Sequence, residues 1–201
     1  MYSTLVATIA ARGQSRTLGY AEQAGAVLFA TVLTAIAAQI SIPLPFTPVP
    51  FTFQPMIVLV AAAALGARLG MTSQILYLAL GIAGLPVFAL SPTLPQGAAR
   101  LLGPTGGYLM AYPFAAFVAG WLAERGFDRR YVTAFVAMAC GLAVVFAGGI
   151  SWLALFAQPA AGFAGAIRVG LTPFIAADLA KLLIAAGVMP SLWWLRTRRD
   201  R

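Results

Sequence analysis

Histidine is absent from this chain, and cysteine occurs once, at Cys140. The first absence removes the commonest metal ligand and general base. The second leaves no disulfide framework and no thiolate metal site. No GxxxxGK[ST] run occurs, so the chain shows no P-loop for using ATP. Acidic residues are scarce, 5 against 13 basic ones, and charged residues of both signs make up only 9% of the 201 positions. A water-soluble domain carries about 25% charged residues. With 61% hydrophobic residues, the composition instead points to an all-α integral membrane protein with little or no soluble part. The net charge of +8 raises nucleic acid as a partner. The arginines, however, fall in short connections and in the C-terminal tail, a pattern that fits anchoring at the cytoplasmic face. Residues 1–12 lack a basic region ahead of an apolar stretch, so no cleaved signal peptide is expected. No repeat period marks a solenoid.

What is present is a series of apolar runs, several approaching the ~20 residues needed to cross a bilayer. Six spans are expected, at about 24–42, 52–67, 71–90, 106–123, 131–153 and 173–195, forming a single transmembrane domain over 1–201. Pro43, Pro45, Pro48 and Pro50 predict an extended, rigid first connection. Gly66 to Gly70 makes a tight second turn. Pro92, Pro95 and Gly103-Pro-Thr-Gly-Gly107 mark the third connection, Glu124 to Arg130 the fourth, and the Ala- and Gly-rich 157–170 the fifth. Thr172 and Pro173 suit an N-cap and N1 pair opening the last helix.

With six spans, the termini and the second and fourth connections share one side. Arg12, Arg16, Arg68, Arg125, Arg129, Arg130 and the C-terminal arginines fall there, against Arg100 and Arg168 opposite. The positive-inside rule then places both termini in the cytoplasm. The Pro-rich connection, the 91–105 connection and the 157–170 connection face outward.

Inside the last span the chain reads Asp178-Leu-Ala-Lys181, an acid and a base at i and i+3 on one helix face. A charge near a bilayer centre costs roughly 2.5–3.5 kcal/mol on insertion scales, so something holds these groups in place. Either they serve a polar ligand site beneath the outward loops, or they form an ion pair that fixes helix packing. Gln54 opens the second span and can both donate and accept; an interfacial polar residue is the competing reading, and Gln39 and Gln74 share the ambiguity. Tyr77 and Tyr108 lie in spans three and four, where belts and core packing also use tyrosine. Trp152, Trp193 and Trp194 read as interfacial anchors. Arg100 is a candidate for an anionic ligand or a solvated loop residue. Gly106 and Gly107 can turn backbone N–H groups toward a ligand where span four begins. Ala26 and Ala30 put small side chains on one face of the first helix, allowing close helix approach.

Together these residues resemble the BioY family, the biotin-specific S-components of energy-coupling factor (ECF) transporters. The resemblance runs from about Gln39 to Ala186. It is carried by Gln39-Ile-Ser-Ile-Pro-Leu-Pro-Phe-Thr-Pro-Val-Pro-Phe-Thr-Phe-Gln54, Leu65-Gly-Ala-Arg-Leu-Gly70 and Tyr77-Leu-Ala-Leu-Gly-Ile-Ala-Gly-Leu-Pro-Val-Phe88. Leu102-Gly-Pro-Thr-Gly-Gly-Tyr-Leu109 and Pro173-Phe-Ile-Ala-Ala-Asp-Leu-Ala-Lys181 complete it. It implies a six-helix fold with an external vitamin pocket, in the prokaryotic plasma membrane, and high-affinity biotin binding without enzymatic chemistry or a cofactor. Asp178, Lys181, Gln54, Gly106, Gly107, Tyr77, Tyr108 and Arg100 are the ligand residues on this reading. It also implies that Ala26 and Ala30 meet a transmembrane coupling protein driven by cytoplasmic ATPases, with self-association of the subunit as another route to transport. The departure is Ala89-Leu-Ser-Pro-Thr-Leu-Pro-Gln96, where family members carry a Gly-rich segment. An S-component for another vitamin, or a proton-coupled carrier working through Asp178, are the alternative functions.

Overall fold

A computed structural model describes Thr4 and residues 16–91, 94–157 and 162–199 of the chain. Apart from Thr4, the N-terminal stretch expected to lack a signal peptide lies outside the described residues. The first helix, α1, spans Arg16–Gln39. The Pro-rich connection follows as a short antiparallel hairpin, β1 (Ser41–Ile42) with β2 (Phe51–Thr52), in the register Ser41↔Thr52 and Ile42↔Phe51. Pro residues without N–H groups occupy the turn and leave only this brief ladder to form.

Helix α2 (Gln54–Leu65) carries Pro55 in its first turn, where the missing N–H costs nothing. At ~1.5 Å per residue α2 is shorter than a bilayer core. Gly66, at φ +89°, turns the chain directly into α3 (Ala67–Ile82), a conformation that glycine adopts without a Cβ penalty. The span expected at 71–90 therefore starts earlier and ends earlier: Gly84 at φ +96° and Pro86 stop it and leave 83–90 irregular. A single turn, α4 (Ala99–Leu102), precedes α5 (Gly106–Ala123). Helix α6 (Tyr131–Trp152) runs on through a π-helical turn at Leu153–Ala157. Four stretches, Gly19–Gln39, Gly106–Ala123, Tyr131–Ala157 and Ile175–Arg196, are long and apolar enough to cross a membrane.

Two expectations about the C-terminal third are corrected. The 157–170 connection contains a helix, α7 (Gly162–Gly170). Thr172 does not cap the last span: its hydroxyl and its N–H both go to Ile167 O, closing the end of α7. Helix α8 begins at Ile175 and ends at Ala185, and α9 (Val188–Arg199) completes the span after a break at Ala186–Gly187. Pro190 explains the break, since it has no N–H to return to Ala186. Gly187 N–H reaches only Ile184 O, and the freed Leu183 carbonyl accepts from Tyr131 Oη at 2.8 Å.

Packing centres on α5, which meets α6, α3 and α2. Alanines 115, 116 and 119 are fully buried there, small enough for the backbones to approach closely. The two ends of the molecule differ. At one, Glu124 Oε1 accepts from Ala67 N at 2.9 Å, and Asp128 accepts from Trp193 Nε1 at 2.6 Å with Arg129 stacked on the same indole. Burial pushes the Asp128 carboxyl up from its ordinary range, against the pull of Trp193 and Arg129. Trp193 is thus a packed clamp, while Trp194 remains exposed. At the other end Thr47 Oγ1 donates to Val169 O at 2.7 Å, Ser41 Oγ to Leu90 O at 2.9 Å, and Trp152 Nε1 to Gly103 O at 2.9 Å. The hairpin, the 83–105 segment and α7 are thereby tied together above one cavity.

Candidate functional site

Asp178 stands in the first turn of α8, where the helix dipole favours a carboxylate. One turn on, Lys181 Nζ donates to Asp178 Oδ1 at 2.6 Å and to Thr52 O at 2.7 Å. It also sits 3.7 Å from the centre of the Phe51 ring, a cation–π contact that replaces part of the lost hydration. Both side chains are buried. The ion pair is formed and ties α8 to β2, and both of its members also line a cavity.

That cavity encloses about 610 Å³ of empty space, a figure that includes the open solvent at its mouth. Its polar wall is made by Gln54, Arg100, Thr105, Tyr108, Asp178 and Lys181. The apolar remainder comes from residues such as Val49, Leu109, Phe146 and Phe174. Thr52 of β2 borders it as well.

Arg100 is only 1% exposed, so the solvated-loop alternative does not hold. Its Nη1 donates to Pro95 O at 3.3 Å and its Nη2 to Ala89 O. Gln96 supports the same stretch, with Nε2 donating to Phe88 O at 3.3 Å. These contacts show how the Ala89–Gln96 departure is accommodated; Pro92 and Thr93 lie outside the described residues.

Tyr108 reaches across the cavity roof to donate to Gly170 O at 2.8 Å, with Gly149 leaving room for its ring. Tyr77 is behind the wall: fully buried, it accepts from Gln54 Nε2 at 2.6 Å and donates to Val87 O at 3.1 Å. Gly106 and Gly107 do not line the cavity. A Cβ on Gly106 would strike the Leu101 backbone, and one on Gly107 would strike Trp152 and Gly148 O. Their role in the structure is close packing, which brings Thr105 and Tyr108 to the wall. Trp152, expected as an anchor, packs against Gly107 and holds Gly103. Gln39 holds the 86–88 carbonyls at 3.3–3.4 Å. Gln74 lies in a buried seam between α1 and α3 with Thr34 and Ser73.

Three polar lining residues escape the sequence reading. Tyr112 follows Tyr108 by one turn and shares its face, so helical spacing carried the signal. Thr52 contributes through its carbonyl, which no side-chain pattern marks. Thr105 is the N-cap residue of α5, yet its hydroxyl caps nothing and has no hydrogen-bond partner among the described residues.

Ala26 and Ala30 lie far from this site, on a wholly apolar groove between α1, α2 and α9 that also involves Phe29, Ala61, Met189 and Leu192. Ala30 is already packed with Val27 and Leu65, whereas Leu28, Val32 and Ile36 are exposed on α1.

The BioY family profile matches residues 10–198. The probable biotin transporter BioY of Pyrococcus horikoshii is 40% identical over 165 residues, covering 82% of this chain and 92% of that protein. The biotin transporter BioY of Thermotoga maritima is 38% identical over 169 residues, covering 84% and 94%. Among solved structures, the S-component for biotin from an ECF-type ABC transporter superposes with a TM-score of 0.78 at 26% identity, covering 90% of this chain and 94% of that one.

Proposed function

This chain belongs to the BioY family, and from that premise we propose that it is the membrane-embedded biotin-binding subunit of an uptake system in the prokaryotic plasma membrane. It is a transport protein, not an enzyme. The observation that carries the reading is the convergence of Asp178, Lys181, Arg100 and Gln54 on one cavity beneath the loop-covered end.

Biotin suits that wall. Its ureido ring offers two N–H donors and a carbonyl acceptor, its thioether ring is apolar, and its tail ends in a carboxylate. Asp178 accepts a ureido N–H, and Lys181 donates to the ureido carbonyl or balances the carboxylate. Arg100, nearer the lid, neutralises the carboxylate, with Thr105 beside it. Tyr108 and Tyr112 pack the ring system. The charges on the wall are held by protein partners before ligand arrives, so binding does not require them to be newly desolvated.

The topology that serves uptake has six helical spans, with α2 and α3 as the short second and third, and both termini in the cytoplasm. The 66–67 turn, the 124–130 loop and the end of α9 gather at one end with Arg125, Arg129, Arg196 and Arg198, which supports that orientation. A coupling protein of an ECF module would seat on the open side of the Ala26/Ala30 groove, and cytoplasmic ATPases would supply the energy. Equilibrium binding of biotin to the detergent-purified chain, with thiamine and riboflavin as competitors, tests the reading. Saturable binding displaced by neither competitor is expected. Failure of folded, monodisperse protein to bind biotin overturns it.

A further inference from the structure

Helix α7 turns one side to the protein and leaves the other uncovered. Ala166 and Gly170, four residues apart, are buried on the side that packs on the π-helical turn, where a Cβ on Gly170 would meet Leu153. Phe163 and Ile167, also four apart, are 52% and 43% exposed, and Ala164 and Arg168 border them on the open face. The apolar pair does not stand alone. Leu155 and Phe156, on the turn beneath α7, are exposed too, and that turn ends Tyr131–Ala157, a stretch long and apolar enough to cross a membrane. The uncovered apolar side of α7 therefore continues the outward surface of a span.

Arg168 narrows what meets that surface. The acidic residues of the chain are Glu22, Glu124, Asp128, Asp178 and Asp200. None stands on α7 or on the turn beneath it. Glu124 and Asp128 are engaged at the opposite end with Ala67 and Trp193, and Asp178, the nearest in sequence, is bound to Lys181. An anion for the Arg168 guanidinium must come from outside the chain. A helix with Phe and Ile on its open side and Arg at their border suits the boundary between headgroups and acyl chains, and a guanidinium matches phosphate geometry.

We infer that α7 is a membrane-surface helix: Phe163 and Ile167 enter the acyl boundary of the bilayer, and Arg168 binds a phospholipid phosphate. The same helix carries part of the cavity roof. Val169 O accepts from Thr47 Oγ1 and Gly170 O from Tyr108 Oη. The bilayer thus seats the roof from outside, while Thr47 and Tyr108 hold it from within. This surface is separate from the ligand wall, and its test does not use biotin.

In a Cys140→Ala background, nitroxide labels are placed on Phe163→Cys, Ala164→Cys and Ile167→Cys, each checked for monodispersity. The proteins are reconstituted in vesicles of phosphatidylethanolamine and phosphatidylglycerol. Electron paramagnetic resonance reads collisions with oxygen, which concentrates in lipid, and with a water-soluble nickel chelate. Oxygen is expected to exceed nickel threefold or more at Phe163→Cys and Ile167→Cys, with the order reversed at Ala164→Cys. Nickel in excess at both apolar positions overturns the inference, because the face is then in water. Few collisions with either reagent overturn it too, because a protein surface then covers the face. Adding Arg168→Gln is expected to halve the oxygen-to-nickel ratio at Phe163→Cys in these vesicles and to leave it unchanged in digalactosyldiacylglycerol, which has no phosphate. An equal effect in both lipids, or none in either, overturns the phosphate contact. The roof is read through the thiol of Thr105→Cys on the cavity wall. Phe163→Ser with Ile167→Ser is expected to speed its reaction with a small impermeant methanethiosulfonate threefold or more in vesicles, and an unchanged rate overturns the seating of the roof by lipid.

Discussion

Removing one member of a buried, hydrogen-bonded charge pair leaves the other uncompensated, at a cost of about 3–5 kcal/mol. Lys181 holds Asp178 and Thr52 together, so Lys181→Ala strips the cavity of both a cation and a fixed carboxylate. Asp178→Asn keeps shape but replaces the charged acceptor. Each substitution is expected to weaken biotin binding tenfold or more in equilibrium titration, and unchanged affinity in both removes the pair from the site. Thr105 makes the opposite kind of case. Its hydroxyl has no hydrogen-bond partner among the described residues, so Thr105→Val, of similar volume, should leave the melting temperature of the ligand-free protein unchanged or raised. Biotin affinity should fall several-fold in the same protein; equal affinity would show that the hydroxyl meets no ligand. The charged pair was legible in the sequence because an acid and a base stand out in an apolar helix. Thr105 was not, since a threonine before a helix reads as a cap, and only three-dimensional geometry shows that it caps nothing.

At the scale of elements, the stretch Leu85–Leu90 beside the cavity is held by side chains from its neighbours and is the part proposed to act as a lid. Gln39 grips the carbonyls of Pro86 to Phe88, Tyr77 takes Val87 O, and Arg100 takes Ala89 O. Two of those connections reach the ligand wall, Arg100 directly and Tyr77 through Gln54, so the lid and the cavity share a hydrogen-bond network. Phe88 is the apolar pin of that lid, and Gly81→Ala would place a Cβ into its ring. The ring must then leave its slot beside Tyr77. The expected result is biotin dissociation accelerated threefold or more, read by stopped-flow displacement; an unchanged off-rate would show that the lid does not need the pin. Pro92, Pro95 and the Gly103–Gly107 run announce a connection at 91–105, whereas 83–90 reads in the sequence as part of a span. What holds it is a set of carbonyl contacts, and backbone acceptors leave no mark in a sequence. The same limit explains the last span, where Thr172-Pro173 looked like a helix start while Pro190, further on, decided where the helix breaks.

At the scale of the whole molecule, composition was enough to give the class of protein, and the distribution of arginine supplied the orientation that is proposed for it. The structure adds a reason for the asymmetry. At the arginine-bearing end Arg125 is stacked on Trp121, Arg129 on Trp193 and Arg198 on Trp194, side chains suited to the headgroup layer. The other end is covered by hairpin, lid and α7, and the binding cavity opens beneath them. Uptake requires that cavity to face the outside, so function and topology stand or fall together. In a Cys140→Ala background, a single cysteine at Phe46, which is 61% exposed in the hairpin connection, should react with a membrane-impermeant maleimide on intact cells. A single cysteine at Arg130, exposed at the start of α6, should react only after permeabilisation. Excess biotin should slow neither reaction by blocking the label's access to the membrane, so any protection seen at Phe46→Cys reports closure of the loops over bound ligand. Labelling of Arg130→Cys on intact cells would invert the molecule, turn the cavity to the cytoplasm, and make it a site of release rather than capture.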